Sequence, residues 1–470
     1  MNVDHRDLLH DLINRSGLQT VDAIISHISL QIADIDDQIN TQINTIMQQP
    51  AFKQLEASWR GLNYLVQNSP YHRLVRIRLL DISWGEIVRD IAKATEFDQS
   101  QLFDKLYSQE FGQAGGEPYG VLLGDFAISH RQPQDLPTLR GLSQICASAF
   151  VPFIAAAHSD FFGLDNFADL NETLDLEAIF SQSQYQDWQK LRQFPESRFI
   201  GLTLPRVIMR SPYQTQAGNY KGVYLHDVAE GFVHQDYLWG NACYAFGEVL
   251  LREFASVGWF GHIRGVPQHF AGGGIVTHLA HAQPGQDNNP STEVIINDTF
   301  ERQLSDAGFL PLSHCYMTAY AAFYNNQSIQ KPVVKRESRN LTLTHRQQET
   351  QHHLNQKLSS MLQHVLCVSR IAHYIKIMVR EKVGSFKTAE DCEHFLREWL
   401  FRYTTGREDL DWDEQARYPL RRSAVEVWQH AQKPSVYLSK ILLQPHYQID
   451  QITAQVELTT ELAMPTVTSR

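Results

Sequence analysis

The feature that most constrains the fold of this chain is a long, narrow stripe of apolar side chains near the N-terminus. Apolar residues recur in steps of three and four from Val21 to Ile46, which is the spacing of one face of an α-helix and is close to a seven-residue period. Pro50 closes the predicted helix. A stripe of this length needs a surface to pack on, either the core of the chain itself or another chain. Its isoleucines are Ile25, Ile28, Ile32, Ile35, Ile39, Ile43 and Ile46.

The rest of the chain mixes helical and strand-like patterns, so the sequence predicts an α+β fold. Helical spacing continues at 51–69, at 84–112, where Gly112 can end the helix, and at 357–384, where the periodicity is strongest. Alternating or wholly apolar runs between turn residues predict the strands. These runs lie at 72–83, 119–130, 198–210, 292–298, 423–430, 437–449 and 451–462.

Charge and cysteine usage disfavour several classes of protein. The 470 residues carry a formal net charge of -11, whereas a general nucleic-acid binder needs a basic face. The five cysteines are scattered and form no C-x-x-C, which favours a reducing compartment over a disulfide framework. The first residues lack the apolar region of a secretory signal, and no apolar run suits a bilayer. We therefore expect a cytoplasmic protein with no nucleic-acid partner and no direct membrane insertion.

Two glycine-rich loops, at 112–124 and 272–274, are the strongest indications of a small ligand. A phosphate loop of the Walker type needs G-x-x-x-x-G-K-[ST] between a strand and a helix. The first loop has no lysine, and its elements run in the order helix, glycines, strand. The second loop has no cation directly after it in the sequence. A cytoplasmic enzyme or ligand-binding protein that uses these loops is nevertheless kept as the alternative function.

The histidines, cysteines and carboxylates do not form a catalytic pattern. The run DCEH at 391–394 spreads its side chains over different faces of a predicted helix, and a zinc site there needs ligands from elsewhere. His364 and Cys367 fall within an apolar stripe, which favours a core position for the thiol. No G-x-S-x-G nucleophile elbow is present. The sequence therefore predicts no enzyme, with no catalytic residues, no cofactor and no metal.

Nine stretches, taken together and in order, resemble one family. They include FKQLEASWRGLNYLV, with Trp59-Arg60-Gly61-Leu62, the glycine-rich QEFGQAGGEPYGVLLGDF, RFIGLTLPRVIMRSPY, and DYLWGNACYAFG, with Tyr237-Leu238-Trp239-Gly240-Asn241. The chain resembles the large subunit of the type VI secretion contractile sheath, the TssC or VipB family, from about residue 30 to about residue 460. A sheath protein of a phage-like injection machine is the neighbouring alternative.

The resemblance implies a structural protein with two sheath-type domains and terminal segments exchanged between neighbouring subunits. We expect an N-terminal arm with amphipathic helices at 1–69, a middle α/β domain at 70–330, a polar linker at 331–356 and a C-terminal domain with linking strands at 357–470. The implied partners are a small sheath subunit of the TssB or VipA type and other copies of the chain. An inner tube of the Hcp type, baseplate components and a recycling AAA+ unfoldase of the ClpV type complete the set.

The resemblance also assigns roles to particular residues. The isoleucine stripe is expected to contact the small subunit. Residues of the last predicted strand are expected to link subunits by strand exchange, and two basic residues are candidates for contact with the inner tube. The linking residues are Ile452, Ala454, Val456 and Leu458, and the basic residues are Lys433 and Lys440.

Overall fold

Two long helices begin the described part of the chain, as the apolar periodicity predicts. Helix α1 spans Val21–Met47 and helix α2 spans Pro50–Asn68. Pro50 occupies the first turn of α2, where its missing N–H leaves no hydrogen bond unmade. The computed structural model describes residues 21–69, 75–111, 113, 115–213, 237–267, 272–281, 290–331, 356–382, 388–407, 410–429, 436–446 and 456–463.

The helix predicted at 84–112 is two helices that meet at a carboxylate cap. Helix α3 spans Trp84–Lys93 and ends where Ala94 turns to an extended conformation. The Asp90 carboxylate accepts hydrogen bonds from the backbone N–H groups of Gln101 and Leu102, each at 3.0 Å, and so caps the next helix. That helix, α4, consists of α-helical Gln101–Phe103, π-helical Asp104–Ser108 and α-helical Gln109–Phe111.

A four-stranded parallel sheet forms the middle of the molecule. Its order is β1 (Leu122–Ile128), β2 (Phe153–Ala157), β3 (Ile200–Leu204) and β7 (Leu310–Pro311). Every residue of β2 and β3 is buried, as expected of strands covered on both faces. Helix α5, Asp135–Ala149, connects β1 to β2. The predicted strands at 119–130 and 198–210 are thereby confirmed as β1 and β3.

Smaller elements complete this region. Two short helices and several 3₁₀ turns lie between β2 and β3, two more helices follow β3, and two-residue strands pair in two small separate sheets. The helices are α6 (Leu176–Phe180), α7 (Gln186–Leu191), α8 (Cys243–Val257) and α9 (Asp298–Asp306); the strands are β4 (Val207–Ile208), β5 (Trp239–Gly240), β6 (Ile275–Val276), β8 (Ser313–His314) and β9 (Ala321–Ala322).

Aromatic rings and glycine contacts set the packing around the parallel sheet. Phe161 lies edge-on to Trp188, with ring centroids 4.9 Å apart, and Phe309 stacks on Trp188 at 5.8 Å. On the other side, α2 lies against α8 at Gly61, where a Cβ would come within 2.4 Å of the Tyr244 ring. Since only glycine permits this approach, α2 is fixed directly to the core by its inner face.

Among the described residues, the C-terminal part contains a helical turn at 356–359, three further helices and an antiparallel sheet. The helix predicted at 357–384 begins as a regular helix only at Leu362, because Met361 is extended and pairs with Gln327 in an antiparallel bridge. The sheet has the order β10-β11-β12, and the three predicted strands near the C-terminus are thereby confirmed. The elements are α10 (Leu362–Glu381), α11 (Ala389–Phe401), α12 (Trp412–Arg417), β10 (Leu420–Gln429), β11 (Val436–Pro445) and β12 (Val456–Ala463).

Two strands predicted from alternation are wrong for the residues described. The segment 75–83 belongs to no sheet in this structure. At 292–298 only Thr292 pairs, in one bridge with Val207. The chain leaves this bridge because Asn297 caps α9, accepting a hydrogen bond from the Phe300 N–H at 2.9 Å. Alternation identified residues with the right side-chain pattern, but a strand also needs a backbone partner.

Candidate assembly surfaces

The isoleucine stripe of α1 lies on the surface of the chain. Five of its members, Ile25, Ile32, Ile35, Ile39 and Ile46, are 39% to 57% exposed. Ile28 and Ile43 are half-buried, and none of the seven belongs to a hydrophobic core. A continuous apolar stripe left open to water in this way marks a site for association.

Helix α2 carries a second apolar surface that the sequence analysis did not separate from its core face. Its inner residues Ala57, Gly61 and Leu65 are buried, in steps of four along the helix. The solvent-exposed apolar residues of α2 form another row on the opposite side of the helix. They are Phe52, Leu55, Trp59 and Val66. Helical spacing within 51–69 contained both rows, but spacing alone does not say which one the core covers.

A buried charge cluster holds α2 in place. Glu56 accepts hydrogen bonds from Arg210 at 2.7 Å and from Arg60 at 2.8 Å, and Arg60 also reaches the Tyr213 hydroxyl at 3.1 Å. Burial raises the pKa of Glu56, but the two arginines outweigh burial, so the net pKa is lowered. Glu56 is thus held ionised between two cations, and the outer row of α2 is presented by a firmly anchored helix.

The glycine-rich loop at 112–124 is a structural turn in the residues described. Gly115 has a φ of +83°, and Gly116 lies so close to the Glu110 carbonyl that a Cβ would be 2.1 Å from its oxygen. Gly124 lies in β1, where a Cβ would come within 2.5 Å of the Phe153 ring. Gly112 and Ala114 lie outside the described residues. These glycines permit close backbone packing instead of cradling an anion.

The loop at 272–274 does have a cation beside it, contrary to what the sequence suggested. Arg252 of α8 donates to the Gly273 carbonyl at 2.8 Å and to the Ile275 carbonyl at 2.7 Å. It also pairs with Glu248 at 3.1 Å, and burial raises the pKa of Glu248 to about 7 although Arg252 partly offsets this. Because the guanidinium is engaged by carbonyl oxygens and a carboxylate, the loop binds an internal cation and not a phosphate.

A polar cluster that the sequence analysis missed lies at the carboxyl ends of β1 and β2. Asp135 accepts hydrogen bonds from Trp84 Nε1 at 2.8 Å and from the Ser129 N–H at 3.0 Å. Asp160 accepts one from the Ser129 hydroxyl and lies 3.8 Å from His130 Nδ1. Ligands of open α/β sheets bind at such ends, so the polar residues after each predicted strand could have signalled the cluster.

The groups of this cluster are suited to stabilising the fold. His130 is enclosed between the rings of Tyr185, at 4.4 Å, and Phe161, at 5.1 Å. Burial raises the pKa of Asp160, but the neighbouring His130 and His158 rings and the hydrogen bond from the Ser129 hydroxyl outweigh burial, so the net pKa is well below its usual range. Asp160 is therefore a constitutive anion, unsuited to exchanging protons near neutral pH.

Thiols and metal ligands offer no alternative site within the residues described. Cys146, Cys243 and Cys367 are buried free thiols, and burial raises the pKa of each, which disfavours the reactive thiolate. Cys367 lies in a core, as predicted. No cluster of three or more His, Cys, Asp and Glu side chains suited to a metal occurs among the described positions. In the same ranges, no helix is both long and apolar enough to cross a membrane.

The last strand pairs with its own chain in this structure. β12 lies antiparallel to β11, with Val456 opposite Leu443 and Leu458 opposite Ile441. Lys440 is a half-buried residue of β11, opposite Glu426 of β10. The other expected contact residues, Ile452, Ala454 and Lys433, lie outside the described residues.

Comparison with known proteins decides the family. The VipB family model of the tail sheath N-terminal domain matches residues 29–330, and that of the tail sheath gpW/gp25-like domain matches residues 351–462. The chain belongs to the VipB tail sheath family. This sheath protein is also 35% identical over 464 residues to the type VI secretion system sheath protein TssC1 of Pseudomonas aeruginosa, covering 97% of this chain and 90% of that relative. It is a type VI contractile sheath subunit, and the resemblance drawn from its motifs is confirmed.

One face of α10 joins the two matched regions of the sheath subunit. His373 Nε2 lies 3.0 Å from the Ala149 carbonyl at the end of α5, and Arg380 donates to the Phe111 carbonyl at 2.7 Å. Between them, the Lys376 ammonium lies 4.8 Å to 5.1 Å from the ring centroids of Tyr107, Phe111 and Phe150. The cationic Arg380 thus meets the carboxyl end of α4, where the helix dipole is negative, and Lys376 lies over aromatic rings.

Proposed function

We propose that this chain is the large sheath subunit that pairs with a small sheath subunit through the isoleucine stripe of α1. The observation that carries the proposal is the exposure of that stripe in a protein of the sheath family. Seven isoleucines on one helical face offer a narrow seam of the kind that another helix covers. Burying the stripe on association removes apolar surface from water, which favours a stable pair.

The remaining parts of the proposal follow from the family. Pairs of large and small subunits polymerise in the cytoplasm around an inner tube of the Hcp type, on baseplate components. Contraction of the sheath propels the tube, and an AAA+ unfoldase of the ClpV type recycles the contracted form. Such work needs no catalytic group on this chain, since a lattice can store energy in its extended arrangement.

The proposed contacts along the chain keep the division drawn from the sequence. Residues 1–69 form the arm for the small subunit, 70–330 the middle domain, 331–356 a linker and 357–470 the C-terminal domain. The two family matches leave 331–350 between them, inside the proposed linker. Strand exchange through Ile452, Ala454, Val456 and Leu458 links subunits, and Lys433 and Lys440 contact the inner tube.

Co-expression with the small sheath subunit tests the pairing and the assembly together. We expect the two chains to copurify and to form hollow tubes that negative-stain electron microscopy detects. The large subunit expressed alone is the control and should form no tubes. A stable monomer that does not retain the small subunit in the same preparation would contradict the proposal.

A further inference from the structure

The segment that follows α2 has the side-chain arrangement of a strand but no strand beside it. Arg76 and Arg78 both contact the Glu117 carboxylate, so side chains two residues apart point the same way, as in a strand. Ile77 and Leu79 alternate with them and are 38% and 67% exposed. Within the described chain, residues 75–82 make no backbone hydrogen bond to another described residue.

Ion pairs and core contacts hold this segment at the surface. Arg78 donates to Glu110 at 2.8 Å and to the Tyr119 hydroxyl at 3.2 Å, which ties it to the residues just before β1. At its other end, Ile82 and Trp84 pack against the core of the parallel sheet. The segment therefore lies on a fixed support, with Ile77 and Leu79 exposed and with no backbone hydrogen bond to another described residue.

The elements that precede this segment in the chain carry most of the exposed large apolar side chains. Thirteen of the twenty-two exposed large hydrophobic residues among the described positions lie between Ile25 and Leu80. Twelve of them fall on three consecutive elements, the stripe of α1, the outer row of α2 and the segment 75–81, whereas Leu30 lies on the opposite face of α1. Their succession in the chain favours one partner for all three. The thirteen are Ile25, Leu30, Ile32, Ile35, Ile39, Ile46, Phe52, Leu55, Trp59, Val66, Ile77, Leu79 and Leu80.

We propose that residues 75–81 are a docking strand that pairs, backbone to backbone, with an extended segment of the small sheath subunit. The inference rests on the proposed function and adds a second, β-type contact to the helical one. Strand addition supplies the missing hydrogen bonds, and apolar side chains at alternate positions of the partner cover Ile77 and Leu79. An uncovered apolar strand of this kind otherwise invites aggregation.

A second copy of the chain fits this segment less well. Two identical segments that pair with each other are related by a twofold axis, and such an isologous contact closes a dimer. A sheath instead grows by contacts between different surfaces, which leave a free copy of each surface at the end of the tube. The partner of 75–81 is therefore a different segment, and the small subunit supplies it if, as proposed above, that subunit also covers the stripe of α1.

The test compares charged substitutions on the segment with a matched control. Ile77→Asp together with Leu79→Asp should lower the amount of small subunit that copurifies with the tagged chain by at least about tenfold, because two carboxylates then face an apolar strand. The control is Tyr316→Asp, at a position that is 88% exposed and lies on a different part of the molecule. It should leave copurification unchanged, and circular dichroism of each variant checks that the fold is intact.

Hydrogen exchange supplies a readout that reports the backbone itself. In the copurified pair, the amides of 76–81 should exchange at least about tenfold more slowly than in the large subunit alone. Unchanged exchange there, or full copurification of the double variant, would overturn the docking strand. If Ile35→Asp with Ile39→Asp still abolishes pairing in that case, the proposed function stands and only this inference fails. Protection of 76–81 without the small subunit would assign the strand to a second copy.

Discussion

Gly274 lies where the loop after residue 272 meets the chain leaving β9. A Cβ there would be 2.1 Å from the Phe323 carbonyl oxygen, and the Gly274 carbonyl accepts a hydrogen bond from the Phe323 N–H at 2.9 Å. Moving either backbone apart would break this hydrogen bond. At the scale of a residue, the close approach of two backbones requires glycine here, and no ligand from solution is needed to explain it.

Replacing this glycine gives the first prediction. Gly274→Ala should lower the free energy of unfolding by about 1–3 kcal/mol, since a methyl group is forced into a packed contact. The midpoint of urea unfolding measures it. Gly120→Ala is the control, because nothing lies within 4 Å of a Cβ at Gly120. Equal midpoints for the two variants would show that the loop relaxes freely.

At the scale of the element, periodicity predicted the long helices because each has an apolar face that must be covered. It gave the extents of α1 and α2 closely, but not which face of α2 the core takes. It did not foresee the break at Met361, which depends on a bridge to the distant Gln327. Nor did it foresee Arg252 at the 272–274 loop, since that contact joins residues 21 positions apart in the chain.

The exposed stripe of α1 gives the second prediction. Ile35→Asp together with Ile39→Asp should weaken binding of the small subunit by roughly a hundredfold or more, because two charges would be buried in an apolar seam. Copurification and sedimentation of the pair measure it. Leu30→Asp serves as the control, since Leu30 is exposed on the opposite face of α1. Intact pairing of the double variant would remove the stripe from the interface.

The C-terminal sheet gives the third prediction. A chain truncated after Pro445 lacks β12 and should still bind the small subunit but form no tubes, because the proposed strand exchange could no longer link the subunits. Electron microscopy of the copurified pair measures it. Truncation after Ala463 keeps β12 and should leave tubes intact. Normal tubes from the shorter chain would show that the last strand is not a linker.

At the scale of the whole molecule, α10 connects the two family-matched regions through buried groups. Burial lowers the pKa of His373 to about 4 and that of His364 to about 3. Burial also lowers the pKa of Lys376 to about 8. The family match revealed that α10 lies at a junction, whereas the sequence showed only a strongly apolar helix. Only the folded chain shows which distant carbonyl groups and aromatic rings the polar residues of α10 contact.

These histidines give the fourth prediction. Both pKa values are below the value of about 6.5 in an unfolded chain, so the unfolded state binds protons first as the pH falls. The contribution of these histidines to the free energy of unfolding should be fully present above about pH 6.5. It should fall towards pH 4 by about 1.4 kcal/mol per pH unit for each histidine. Urea unfolding at a series of pH values measures the slope.

A substitution separates this effect from general acid sensitivity. His373→Gln should reduce the slope between pH 6 and pH 4, since the residue no longer takes up a proton on unfolding. The control is His394→Gln, which removes an imidazole from an exposed position. If both variants keep the slope of the parent chain, the buried histidine does not set the pH dependence.

The pairing of β12 with β11 has a consequence for when a sheath can grow. If β12 is the linking strand, as proposed, a chain in which it pairs with β11 is self-capped, because the edge that a neighbour would use is occupied from within. When subunits exchange this strand, each backbone hydrogen bond lost within a chain is replaced by an identical one between chains. The equilibrium then depends on the local concentration of subunits, and the rate depends on the release of β12 from its own sheet. Free subunits would remain dispersed until a growing end holds them close enough for the trade, which confines polymerisation to that end.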